Sequence, residues 1–206
     1  VEEIVHSPID DSNGGNDIEC GVSEEWQLYE GPFTKDEESC HILQFFSVDH
    51  LGNVEDMNFN CFFVDKKTPV TVKEIGEPQF SCYDWCVAEC EGSQGCLNSC
   101  LNAECEQNQQ TGEWFPIWIG NETNLTLNAQ DQEPHPSGVA EVALIVTLVN
   151  DEACESVEVC QETSGSGEFS SELGDEAHFE IQEESCHLIE FFAVDNVNKT
   201  ENIKKN

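Results

Sequence analysis

The sequence predicts a mainly β protein: antiparallel β-sandwich units, interrupted once by a small disulfide-stapled α-helical hairpin. Three observations carry that reading. The phrase ESCHILQFFSVDH, Glu38–His50, returns 146 positions later almost unchanged as ESCHLIEFFAVDN, Glu184–Asn196. Each copy alternates. Ile42, Gln44, Phe46 and Val48 fall on one side of an extended chain, and Leu43, Phe45 and Ser47 on the other. Paired aromatics with β-branched neighbours in so short a run favour a strand. Lastly, six of the twelve cysteines crowd into Cys82–Cys105, mostly four residues apart, the spacing that places side chains on one helical face.

In the first copy, Asp49-His50-Leu51-Gly52-Asn53 reads as a turn, because Gly and Asn tolerate positive φ and Asp bonds backbone amides two residues on. Glu55–Val64 is then the return strand, and a disulfide between Cys40 and Cys61 is expected across the two arms. The likeness runs further. Val1–Val5 resembles Val139–Ala143, Gly31–Thr34 stands where Ala177–Glu180 stands, and Cys20 lies near the place of Cys160. Two domains follow: 1–66, lacking its first strands, and 67–206, lacking its last strand and carrying 82–105 as an insertion. Cys61 follows Asp49 by twelve residues, and no cysteine follows Asp195 before Asn206. Either the chain is a window on a longer tandem array, or a neighbouring chain completes the unfinished unit by adding a strand.

Within the insertion, Glu91–Gly95 supplies a turn between two helices. Folding them antiparallel pairs Cys90 with Cys96, Cys86 with Cys100 and Cys82 with Cys105, a nested ladder. A zinc site is the rival, opposed by the lack of a C-x-x-C pair in the segment and by an oxidising context. The hairpin is either a knob for a neighbour, with Tyr83 and Trp85 as anchors, or a staple for a thin local core. Of the remaining cysteines, Cys154 and Cys160 suit a small loop. Cys20 and Cys186 are left as candidates for an intermolecular bond, Cys186 alternatively awaiting a later cysteine.

Composition narrows the function. The chain carries 43 acidic and seven basic residues, a formal net charge of −36. It has no basic face with which to displace counterions from nucleic acid, and an anionic membrane would repel it. Its longest apolar run, Val142–Val149, is too short to span a bilayer. Twelve cysteines and three sequons, at Asn121, Asn124 and Asn198, point to an extracellular protein with N-linked sugars. No catalytic constellation emerges. His41 and His187 each follow a cysteine assigned to a disulfide and read as polar surface residues, and adjacent acids such as Glu183 and Glu184 point to opposite faces of a strand. Calcium is the more reasonable ligand, with Asp131 and Glu133 and the turn residues Asp49 and Asp195 as candidate donors. None matches an EF-hand, and high-salt adaptation explains the acidity without any site.

The order KTPVTVKEIGEPQ, WIGNETNLTLNAQDQEPHPSGVAEV, ESCHLIEFFAVDN resembles the tandem immunoglobulin-like (Ig-like) repeats of large archaeal cell-surface proteins, and of some bacterial ones. It covers nearly the whole chain outside Cys82–Cys105. The resemblance implies an Ig-like two-sheet sandwich serving as a spacer, stalk, adhesin or lattice component. The expected function is a structural subunit of a surface filament, sheath or array, associating with copies of the same chain. The alternative is an adhesin that contacts a glycan or another surface protein through Trp114, Trp118, Tyr83 and Trp85, although Trp114–Trp118 is expected to pack inward.

Overall fold

The computed structural model describes residues 2–8, 26–107, 112, 114–149, 159 and 162–206. It is mainly β, with antiparallel sheets and two helices. The chain divides into two compact units, Val1–Lys67 with Gln132–Ser137, and Thr68–Asp131 with Gly138–Asn206.

The described strands of the first unit are β1 (Glu2–Pro8), β2 (Gln27–Leu28), β3 (Cys40–Ser47) and β4 (Asn58–Phe63), in one sheet of order β2-β1-β3-β4. β3 is the first copy of the repeated phrase and lies inside the sheet, as its aromatic and β-branched content favours. Val48 faces Val54 at the turn, yet Phe45 faces Asn58. Three steps back along one arm therefore match four steps forward along the other, as a β-bulge requires. The register corrects the expected Cys40–Cys61 bond. Cys40 lies opposite Phe63 and Cys61 opposite Ile42, so the two cysteines are diagonal neighbours, too far apart to bridge. They are not joined, and Cys61 is exposed.

The second unit has two larger sheets. One is β13-β10-β5, from β5 (Val70–Ile75), β10 (Leu125–Gln130) and β13 (Glu176–Phe179). The other is β12-β11-β14-β15, from β11 (Val139–Leu148), β12 (Ser170–Leu173), β14 (His187–Asp195) and β15 (Lys204–Lys205). A single core draws Leu125, Leu127, Ala129 and Ala177 from the first sheet and Val142, Leu144, Ile189, Phe191 and Ala193 from the second. Both sheets thus bury one face against the same apolar layer. β14 is the second copy of the phrase. The expectation that this copy lacks a closing strand is corrected: β15 pairs with it through Glu190–Lys205 and Phe191–Lys204. The chain before β15 also ties to β5. Glu201 accepts the Thr71 hydroxyl at 2.6 Å and its backbone N–H at 3.0 Å, and Lys204 pairs with Glu201 at 2.5 Å.

The insertion rises from two small ribbons. β6 (Gln79–Ser81) pairs with β9 (Ile117–Ile119), and β7 (Glu106–Gln107) with β8 (Trp114–Phe115). Between them run α1 (Cys82–Cys90) and α2 (Gln94–Glu104). Ser81 caps α1 by accepting the Asp84 N–H, while the Asp84 carboxylate accepts the Ser81 N–H in return; this reciprocal box satisfies two of the donors a helix start leaves open. Disulfides join Cys82–Cys105, Cys86–Cys100 and Cys90–Cys96, the same three pairs the spacing predicts. In α1 the buried residues are Cys82, Cys86 and Cys90, and α2 has none. Helices of nine and eleven residues are marginal alone, and here sulfur bridges take the place of an apolar interface.

Candidate functional site

The predicted cation donors fall into different surroundings. Asp49 is exposed and satisfied. Its Oδ1 accepts the N–H groups of Leu51 and Asn53, both at 2.9 Å, and its Oδ2 accepts Asn53 Nδ2 at 2.7 Å. The Asn53 side-chain amide is the first cause holding the Asp49 carboxyl below its usual range, with the turn's backbone amides assisting. Glu133 is exposed, and its backbone carbonyl accepts the Lys67 ammonium.

Asp195 and Asp131, both in the second unit, are buried, Asp195 to 1% exposure and Asp131 to 8%. Asp195 closes β14, and its Oδ1 accepts the N–H groups of Val197 at 2.9 Å and Lys199 at 2.7 Å. Its Oδ2 has no hydrogen-bond partner among the described residues. Asp131 follows β10, and its Oδ2 accepts the Gly138 N–H at 2.7 Å. The Gly138 carbonyl in turn accepts the backbone and side-chain N–H of Asn196, at 2.9 and 3.0 Å. Gly138 has φ of +87°, which a side chain would strain. It therefore links the two aspartates' loops, and a carboxylate oxygen of each lies within 4.8 Å of the other.

Sequence reasoning missed Asp65, a buried carboxylate in the first unit that accepts the N–H groups of Lys67 and Ser137. The signal was present: Val-Asp ends a strand-like run at Val64-Asp65 as it does at Val48-Asp49 and Val194-Asp195. Ser81-x-x-Asp84, a capping-box pattern, was equally readable.

The cysteines speak to the zinc rival. Sulfurs of Cys82, Cys86 and Cys105 gather as metal ligands would, but all three are bonded in disulfides, and a metal needs thiolates. Cys186 is also disulfide-bonded, so its expected availability to a second chain is corrected. Cys20, Cys154 and Cys160 lie outside the described residues.

Other expectations divide. His41 is buried rather than a surface residue: its Nε2 donates to the Glu37 carbonyl at 3.0 Å and its ring stacks on Phe62. His187 is partly buried beside the Ser185 carbonyl. Trp118, expected inside, is 50% exposed, with its ring near Phe80 at 6.1 Å; Tyr83 and Trp85 on α1 are exposed too, and Tyr83 lies beside Trp114. A groove of about 810 Å³ in the second unit is lined by Trp118, Ile119, Lys73, His187 and Asn206 among others. The sequon residues Asn121, Asn124 and Asn198 are exposed, whereas Thr123 of the first sequon is buried and donates to the Pro78 carbonyl.

Comparison with protein-family models, with curated proteins and with solved structures finds no match in any of the three. The likeness to Ig-like surface repeats rests on the motifs alone.

Proposed function

We propose that the chain is a structural module of an extracellular surface assembly, an Ig-like repeat protein of archaeal cell-surface type that associates with copies of itself rather than performing covalent chemistry. The observation that carries this reading is the outer edge of the first unit. β4 ends its sheet among the described residues, and Phe59 and Phe63 on it are 64% and 56% exposed, with Cys61 between them also exposed. Phe59, Cys61 and Phe63 share one face by strand alternation. An outer strand offers open backbone donors and acceptors, and proteins ordinarily blunt such edges with charge or cover. An apolar edge suits strand addition by another copy. Three disulfides among the described residues agree with export, and no helix there is long and apolar enough to cross a membrane.

The test is light scattering and electron microscopy of the intact chain across a concentration series, beside Phe59→Lys and Phe63→Lys. Association should appear in the parent and disappear in the variants. A parent that stays monomeric at about 1 mM, the upper end of the range at which exposed edges associate, overturns the proposal.

A second reading is favoured by the half-exposed Trp118 at the mouth of its groove: a binding module for a glycan or a surface protein, since aromatic side chains with a polar handle suit such contacts. Binding to a glycan array, lost in Trp118→Ala with assembly unchanged, would favour it.

A further inference from the structure

We infer that Asp131 and Asp195 form a divalent-cation site within the second unit, and that calcium is its natural occupant. The case begins with the orphan oxygen. A buried carboxylate oxygen without a donor loses hydration and gains nothing in return, a cost that folded proteins rarely leave standing. Asp195 Oδ2 is in that state at 1% exposure. Its sister oxygen already takes two backbone amides, so the turn is complete without it. A second buried carboxylate, Asp131, brings an oxygen within 4.8 Å of one of the two on Asp195. Two anions held this close out of water repel each other unless a proton or a cation lies between them. Oxygens that share a calcium at 2.3–2.6 Å stand up to about 5 Å apart, so the pair is spaced for it.

The repeat supplies an internal control. Asp49 occupies the place of Asp195, 146 positions earlier, and there Asn53 Nδ2 covers the second oxygen at 2.7 Å. The residue in the place of Asn53 is Lys199, whose backbone N–H repeats the bond to Oδ1. The second copy keeps the turn and omits the amide that would occupy Oδ2. Two carboxylates are hard oxygen donors, which select calcium over softer transition metals. The site is independent of the association proposed above.

The experiment is isothermal titration of the chelator-treated chain with CaCl₂, together with thermal unfolding in CaCl₂ and in EDTA, for the parent, Asp195→Asn, Asp131→Asn and Asp49→Asn. Asn at 195 retains an Oδ1 for the two amides, so the turn survives while the second oxygen is replaced. One strong calcium site should appear in the parent and in Asp49→Asn, and be weakened at least tenfold in Asp195→Asn and Asp131→Asn. The calcium-dependent rise in melting temperature should vanish with it. Undiminished binding in Asp195→Asn, or no binding by the parent at millimolar calcium, overturns the inference. A magnesium titration equally without heat would reinforce the second result. Should Asp195→Asn fail to fold, Asp131→Asn and the parent titration decide the matter.

Discussion

Asp49 and Asp195 end the same repeated phrase, and their turns make the same bonds. In each, the aspartate N–H donates to the carbonyl four residues on, at 3.0 Å, and Oδ1 accepts the N–H groups two and four residues on. Beyond the turns, Glu55 and Glu201 are also equivalent, each donating its backbone N–H to the strand before it, to Ser47 and Ala193. The side chains then part. Glu55 is exposed and bonds Ser47 on its own hairpin, whereas Glu201 is buried and bonds Thr71 on β5 in the other sheet. Asp49 faces water with both oxygens used, and Asp195 is buried with one unused. Local sequence builds the turn in both places. What the same carboxylate can do depends on what the rest of the chain lays over it.

The widest gap should appear between the two glutamates. Glu201→Ala leaves the Thr71 N–H and hydroxyl without their acceptor and removes the Lys204 ion pair, though Lys204 still donates to the Thr71 carbonyl. Stranding the buried Thr71 donors, with a part-exposed ion pair lost besides, costs about 2–3 kcal/mol. Glu55→Ala removes an exposed acceptor and should not move the unfolding midpoint measurably. Urea unfolding of the two variants decides. Equal losses would mean that Glu201 does not fasten β5 to the C-terminal segment.

The sequence showed the strands and turns of both copies because alternation and the turn chemistry of Asp, Asn and Gly are local. It showed the three hairpin disulfides for the same reason: helical spacing fixes which cysteines meet. The Cys40–Cys61 bond failed on register, which sets Cys40 opposite Phe63 and Cys61 opposite Ile42 and leaves no mark in composition. The closing strand of the second copy escaped notice because it is only Lys204–Lys205, without apolar alternation. Trp118 sits on a three-residue ribbon, too short to bury both faces. The aspartate pair was half legible. Asp131 and Asp195 could be named as oxygen donors, but their meeting joins loops far apart in sequence.

A smaller effect separates donor chemistry from charge at position 199. Lys199→Asn installs the amide that Asn53 provides in the first copy, giving Asp195 Oδ2 a competing donor. Lys199→Ala removes the same positive charge and adds none. Loss of a nearby cation alone should hold calcium affinity level or raise it. We therefore expect Lys199→Ala to bind calcium at least as well as the parent, and Lys199→Asn about tenfold more weakly, or about 1.4 kcal/mol. Calorimetric titration of both variants provides the comparison, and matching affinities would sever the link between the missing amide and the site.

The smallest effect lies in the first copy. The Asp49 carboxyl is held below its ordinary value of 3.8, first by the Asn53 side chain. A folded-state value below the unfolded one adds stability that is fully present above the ordinary value. That stability is lost as pH falls through the lowered value. In Asn53→Ala the carboxyl should titrate closer to 3.8, and the variant should lose less stability than the parent across that acidic window. Carbon-13 NMR of the Asp49 carboxyl reads the midpoint directly. A midpoint unmoved by the substitution would show that Asn53 does not satisfy Oδ2 in solution. The contrast drawn between Asp49 and Asp195 would then rest on burial alone, not on the exchange of asparagine for lysine.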